Sequence, residues 1–591
     1  MTICEVFLVF KVLYMDNRMK KWMVAAKRAD FDLIAEKFAI SPILARIIRN
    51  RDVIGDEQIA MYLNGKREDM HDPHLLKDAD KGAALLDEAI RSDKKILIIG
   101  DYDIDGVCSS CILLKGISKA GGKATVRLPE RTSDGYGMNM GMVDEAISQG
   151  IRLIITCDNG ISAASEVKYA VDNGITVIVT DHHEIPYEDV NGQKRYRIPL
   201  ADAVIDPKQE DCPYPYKQIC GGMVAYKLIQ CLYDLTGTDR TILDELLMFA
   251  GFATVGDVME LKDENRIAVR FALDEMKRTK NMGMRSLIDV RKIDRSRLSP
   301  YHIGFILGPC INATGRLDSP TRALEMFLKD SDEEALRIAE ELSSLNETRK
   351  ELTEQYTQMA IDMVRDSALL SKDKVLLVYI PDCHESIAGL VAGKLREAFY
   401  KPSFVLTKGG EDVKGSGRSI EAYDMYAEMT KCSDMFIKFG GHKAAAGFSM
   451  YEDKIEELRV RLNENCTLTD DDLTEKLTAD IAMPISHATL KLAKEIKILE
   501  PYGMGNPRPL FADKDLICED IRVFGKHRNV VRMKLTKADG SGFKTDAVCF
   551  GDGDSIEAEL KTKDRISVMY ELSVNEYMGQ EKPELSLKDW K

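Results

Sequence analysis

The chain has 591 residues, 45% of them hydrophobic and 30% charged, with a formal net charge of −15. That length exceeds what one hydrophobic core supports, so about two to four domains are expected, and the ordinary composition marks a globular protein. The acidic balance excludes a generally basic nucleic-acid coat while leaving room for a local basic groove.

In chain order, the opening MTICEVFLVFKVLY is apolar but interrupted by Lys11. It is too short to span a bilayer and lacks a basic segment before it, so it reads as an extension upstream of a start at Met15. Residues 16–75 read as helical and charged, giving an N-terminal helical lead-in over 1–75. From Lys94 onward the apolar runs KKILIIG, ATVRLPE, IRLIITCDNG, ITVIVTDHHE and ADAVIDP alternate with amphipathic segments such as Ala163–Asn173. This pattern predicts βαβ units and a mainly parallel sheet in a domain over 76–320. TILDELLMFAGFATVGDVMEL, residues 241–261, reads as helix.

Thr321–Arg365 contains no proline or glycine and predicts one or two helices, a connector over 321–370. KVLLVYI (374–380) opens a second, smaller α/β domain over 371–465. PYGMGNPRP (501–509) is turn-rich, and short alternating strands from Asp515 to Trp590 suit a β-barrel of the oligonucleotide-binding type over 466–591. Thirteen cysteines are scattered, and the lone C-x-x-C (Cys108, Cys111) has no second pair at zinc spacing. Buried, reduced thiols are therefore expected. No segment approaches about 20 apolar residues, so no membrane association and a cytoplasmic location are expected.

Chemistry concentrates where apolar runs end. ILIIG leads into Asp101, Asp103 and Asp105; IRLIITC into Asp158-Asn159-Gly160; ITVIVT into Asp181-His182-His183-Glu184; and Asp257 follows in ATVGDVMEL. In open α/β sheets the carboxyl ends of the strands line the ligand crevice, so parallel strands would bring these groups together. Several carboxylates in one crevice raise one another's pKa, and bound divalent cations remove that conflict. Mixed carboxylate and imidazole ligation suits Mn²⁺ or Mg²⁺, and a pair of ions could support in-line displacement at phosphorus.

DYDIDG, CDNG, TDHHE and VGDVMEL, in this order, resemble the four motifs of the DHH phosphoesterase superfamily. The resemblance implies Asp101, Asp103, Asp105, Asp158, His182 and Asp257 as metal ligands or their neighbours. It implies Asp103, Asp105, Asp158, Asp181 and His183 as the catalytic group, with Asp181 orienting the histidines and His183 facing metal or phosphate.

Downstream, PCINATGRLDSP (309–320) offers Asn312 and Arg316 in what reads as a polar loop. KGSGRSI (414–420) places Ser416 and Arg418 on what reads as a glycine-rich turn, and FGGHKAAAGFS (439–449) supplies Gly441 and His442. Glycine turns and arginine forks suit phosphate. With PERTSDGYGM (129–138, carrying Arg131), HESIAGLVAGKL (384–395) and LEPYGMGNPRPLF (499–511), these strings resemble the RecJ-type single-strand-specific exonucleases over residues 75–591. The resemblance implies a DHH domain and a smaller DHHA1-type domain joined by a long helix, then an OB-fold domain. It implies a two-metal 5′→3′ exonuclease that releases mononucleotides from single-stranded DNA in recombination and repair, with a helicase and a single-strand-binding protein as accompanying partners. Arg131, Arg316, Ser416, Arg418 and Gly441 would hold the terminal phosphate, beside Asn312 and His442. Cys310 and Lys394 stand where that family often carries arginine. The basic run GKHRNVVRMKLTK (525–537) is the candidate surface for tracking the DNA backbone. A small-substrate DHH phosphodiesterase and a non-catalytic replication scaffold are the alternatives.

Overall fold

The computed structural model describes residues 20–131, 134–190, 193–410, 412–539, 542–577 and 579–591. The apolar opening and Met15 lie outside these. The chain divides into two compact units, one of Gly55–Lys350 with Pro501–Pro507, the other containing the remaining residues.

The first unit is built on five parallel strands, β1 (Ile96–Ile99), β2 (Ala124–Arg127), β3 (Leu153–Cys157), β4 (Thr176–Thr180) and β5 (Ala203–Ile205), in the order β2-β1-β3-β4-β5. β1 and β3 are buried along their whole length, which is why their sequences run apolar without alternation. Ile99 is in register with Thr156, Cys157 with Thr180, and Thr180 with Ile205. The strands therefore end almost flush. Helices α1 (Ile104–Lys119), α2 (Gly221–Thr236), α3 (Leu243–Gly256) and α4 (Gly308–Leu317) position the side chains described below. Helix α4 replaces the expected polar loop at 309–320 and continues directly from the π-helical turn Ile303–Leu307, with its proline near its start.

The connector is two helices, Thr321–Leu328 and the 35-residue Asp332–Asp366. In the second unit, strands β6 (Leu376–Tyr379), β7 (Ser403–Gly409), β8 (Asp412–Arg418), β9 (Lys438–His442) and β10 (Ala445–Met450) form a sheet ordered β9-β10-β8-β7-β6. KGSGRSI thus lies mostly in a strand rather than a turn: the side chains of Phe448 and Phe404 occupy the space above Gly415 and Gly417. Six strands between Ile481 and Trp590 form the C-terminal sheet, and an added antiparallel pairing of Phe511–Phe524 with Ile566–Tyr577 closes it into a barrel.

The N-terminal region is not purely helical. Lys21–Val24 is a strand paired in parallel with Lys476–Ala479, and Arg51 makes a buried ion pair with Asp480. The turn PYGMGNPRP also departs from expectation. Residues 501–507 pack in the first unit rather than with the barrel: Leu261 N–H donates to Met504 O (2.8 Å) and Tyr62 hydroxyl to Asn506 Oδ1 (2.8 Å).

Candidate metal centre

Flush parallel strands carry three of the four acidic motifs to one edge. Asp101 follows β1, Asp158 follows β3, and Asp181 to His183 follow β4. Asp103 caps α1, its Oδ1 accepting the N–H groups of Asp105 (2.9 Å) and Gly106 (3.1 Å). A Cβ on Gly106 would lie 2.4 Å from Asp101 O, so glycine there lets the helix close against the strand end. Asp158 itself has φ of 61°, a left-handed conformation rare for a non-glycine residue and typical of strained functional turns.

Asp105 is fully buried on the first turn of α1. Its two oxygens accept the N–H groups of Gly221 and Gly222 at the start of α2, each at 2.7 Å. The positive end of that helix favours the carboxylate. Nε2 of His182 stands 3.1 Å from Asp158 Oδ1, 3.6 Å from Asp105 Oδ2 and 3.6 Å from Asp257 Oδ2. Asp257 arrives from the C-terminal end of α3. Asp181 Oδ2 accepts Ile161 N–H (2.9 Å), while its Oδ1 accepts His182 N–H (2.7 Å) and His183 Nδ1–H (2.7 Å). Asp181 thus holds the ring of His183 and the backbone of His182.

Possible ligand atoms form three overlapping groups: Asp101, Asp103 and Asp158; Asp158, His182 and His183; and Asp105, His182 and Asp257. Within each group the atoms lie within 4.8 Å of one another. Burial, and then the neighbouring carboxylates, push Asp158 well above the usual carboxylate range and Asp257 up to about 8. Burial and Asp103 do the same to Asp101. Burial holds the His182 imidazole down to about 4, so it is neutral and able to ligate. Burial is the largest single influence on His183 and opposes its charge, but the Asp181 hydrogen bond and the charges of Asp181, Asp257 and Asp105 together outweigh it and raise the group to about 9. Oδ1 of Asp101 and Nδ1 of His182 are buried without a hydrogen-bond partner. Buried acids whose ionised forms repel one another, with a neutral imidazole among them, fit hard divalent cations that would relieve that repulsion.

Three further residues belong to this edge. Tyr136 donates to Asp158 O (3.0 Å) and packs edge-on against His183. Asn159 Nδ2 ties the ends of β1 and β3 by donating to Ile99 O (3.0 Å) and Cys157 O (2.9 Å). Asp206, ending β5, is raised to about 8 by burial and Asp181. Position was the available signal for each: all three follow, or face, the end of an apolar run.

The substrate candidates separate into two groups. Arg131 stacks over Tyr102 at 5.1 Å, and the charges of both Arg131 and Arg316 reach the Tyr102 hydroxyl. Asn312 is already engaged: its Oδ1 accepts the N–H of Ile104 (2.8 Å), pinning the start of α1. In the second unit Ser416 pairs with Gly447, and Gly441 with Ala446. Arg418 and His442 both stand opposite Ala445 at one end of the smaller sheet. Cys310 is buried with its thiol directed at Ile306 O, and Lys394 is paired with Glu397 at 2.9 Å. On the barrel, the basic run is partly neutralised by acids from elsewhere in the barrel domain: Arg528 by Asp554, Lys537 by Asp513 and, at 3.7 Å, Lys534 by Asp520.

Comparison with known proteins agrees with this architecture. The DHH family N-terminal domain matches residues 95–252, the DHHA1 domain residues 372–467 and the RecJ OB domain residues 479–589. The single-stranded-DNA-specific exonuclease RecJ of Bacillus subtilis is 32% identical over 96% of this chain and 70% of its own length. The Escherichia coli protein of that name is 30% identical over 95% of this chain and 97% of its own length. The crystal structure of RecJ with Mn²⁺ from Thermus thermophilus superposes with a TM-score of 0.79 at 26% identity, covering 97% of this chain and 79% of that one. With the order of domains, the motif edge and full-length similarity all in agreement, the chain belongs to the RecJ family of DHH proteins.

Proposed function

We propose that this chain is a metal-dependent exonuclease that degrades single-stranded DNA from the 5′ end to mononucleotides by two-metal phosphodiester hydrolysis, in recombination and repair. The observation that carries the reading is the set of three overlapping ligand groups along one sheet edge. Divalent cations held by Asp101, Asp103, Asp105, Asp158, His182 and Asp257 would supply the charge that acidifies an attacking water and stabilises the departing 3′-oxygen. Asp181 keeps His183 charged at neutral pH, so that its outer ring face can meet a phosphate oxygen. Arg131 and Arg316, gathered about Tyr102 beside the acids, supply guanidinium groups for a chain-terminal phosphate. Ser416, Arg418, Gly441 and His442, on the smaller sheet of the second unit, are the substrate contacts assigned there.

Long single strands call for a further surface, and the barrel offers one. Arg522 and Arg532 are exposed cross-strand neighbours, and exposed Phe524 lies two residues from Arg522 on the same strand face. Cation and aromatic side by side suit a backbone and a base. No helix among the described residues is long and apolar enough to cross a membrane. A cytoplasmic protein supplied with strands by a helicase or a single-strand-binding protein completes the reading.

The test is digestion of 5′- and 3′-labelled single-stranded and duplex DNA, and of a dinucleotide, with Mn²⁺ or with chelator. Mononucleotides released first from the 5′ end of the single strand, only with metal, are expected. Preference for the dinucleotide, or equal attack on duplex, would overturn the reading.

A further inference from the structure

We propose that His74, Asp80 and Cys231 form a second metal site, of the Zn²⁺ class, in the first unit, with Asp234 orienting the histidine. Three elements meet there. His74 lies in the short turn Pro73–Leu75, with its N–H held by Asp72 at 3.0 Å. Asp80 is in the first turn of the helix Ala79–Arg91. Cys231 and Asp234 are one turn apart on α2. One potential ligand atom from each of His74, Asp80 and Cys231 lies within 4.8 Å of the other two.

The histidine is already arranged as a ligand. Its Nδ1 faces Asp80 Oδ1 at 2.5 Å, and its Nε2 faces Asp234 Oδ2 at 3.4 Å. A metal-bound imidazole commonly donates its other N–H to a carboxylate, which fixes the tautomer. Asp234 has that place, its other oxygen being paired with Arg240. A tetrahedral ion between Nδ1 and Asp80 would open their separation to about 3.3 Å, a small movement for two exposed side chains.

The donors differ in kind from those at the sheet edge. Mg²⁺ and Mn²⁺ prefer oxygen, whereas a thiolate selects softer ions such as Zn²⁺ or Co²⁺. Cys231 is buried, and burial followed by the charges of Asp80 and Asp72 pushes its thiol up to about 12, against a smaller opposing effect of Lys227. Binding would transfer the thiol proton to water and place a dication among Asp72, Asp80 and Asp234. The site would also tie α2 to the turn and helix before β1. Since α2 donates two amides to Asp105 from its other end, the ion would brace the helix that holds the catalytic edge.

Co²⁺ titration of the metal-stripped full chain tests this, because a cobalt–thiolate bond absorbs in the near ultraviolet and the acidic centre has no thiolate ligand. A charge-transfer band is expected whose final intensity corresponds to one thiolate-bound Co²⁺ per chain and which is bleached by Zn²⁺. It should be absent in Cys231→Ser and in His74→Ala, and unchanged in Cys466→Ser, which alters a thiol of the other unit. His74 is exposed, so its loss leaves the fold intact even if Cys231→Ser perturbs packing. No band in the unaltered chain, a band persisting in either site variant, or its loss in Cys466→Ser overturns the proposal.

Discussion

Asp158 Oδ1 lies 3.1 Å from His182 Nε2, across the ends of two adjacent parallel strands. The pair shares its pocket with Asp101, Asp105 and Asp257, whose charges add to the leading effect of burial in pushing the Asp158 carboxyl upward. Its amide variant removes a charge that the fold holds at a cost. Asp158→Asn is expected to raise the melting temperature in chelator while lowering single-strand hydrolysis by more than about 100-fold. Calorimetry and a labelled-strand assay on the same sample check both halves.

The same crowding sets a pH dependence. Asp257 is raised from 3.8 to about 8 and His183 from 6.5 to about 9, so between pH 6.5 and 8 the folded chain binds more protons than the unfolded one. Stability contributed by such groups is complete below their unfolded pKa and is lost as pH rises through the folded value. His182, held down to about 4, is neutral in the folded chain throughout this range but half-protonated in the unfolded chain at pH 6.5, so it opposes the slope at the low end and adds little above about pH 7.5. Metal-free protein should therefore melt at progressively lower temperature from pH 6.5 to 8, by about 1.4 kcal/mol per pH unit for the Asp257 proton. Mn²⁺ should flatten the profile. A rising profile in chelator would contradict the arrangement.

Gly221 stands where a side chain would damage the site without removing any functional group. Its Cβ would lie 2.8 Å from Asp158 Cβ and 3.1 Å from Asp105 Oδ2. Gly221→Ala should cost about 1–3 kcal/mol of stability and reduce turnover at least about tenfold. Denaturant unfolding alongside steady-state rates tests this.

Asn312 offers a contrast between positioning and substrate contact. Its carbonyl oxygen already holds the Ile104 amide at the head of α1. Asn312→Ala should lower kcat and destabilise the chain by about 1 kcal/mol, with KM for single-stranded DNA nearly unchanged. A raised KM at constant kcat would restore the substrate-contact reading.

On the barrel, Arg528 is engaged by Asp554, whereas Arg522, Phe524 and Arg532 share an exposed region. Phe524→Ala is expected to weaken binding of a long single strand by about 1–3 kcal/mol. Arg532→Ala should reduce the slope of log affinity against log salt by about 0.7, and Arg528→Ala should leave it unchanged. Fluorescence anisotropy across a salt series reads all three.

Much of this was legible before any fold was known. Continuous apolar runs such as ILII and LIITC mark strands buried on both faces, and the acids just beyond them mark the edge where a parallel sheet gathers ligands. Local pattern misled where packing had the deciding voice. Gly308–Leu317 forms a helix despite its proline and glycines because Gly315 lies against the Tyr102 backbone, where a Cβ would be only 2.5 Å away. KGSGR becomes a strand because aromatic side chains fill the space its glycines leave.

Residue type and short-range periodicity were enough to establish the order of the motifs, the chemistry of their donors and the alternation of strand and helix. Which atoms meet was left to packing in three dimensions. Asn312 turned inward to a helix amide, Tyr136 and Asp206 joined the sheet edge, and His74 came within reach of Cys231, 157 positions away. Such encounters are set by strand register and helix packing, which act over distances that no local pattern encodes.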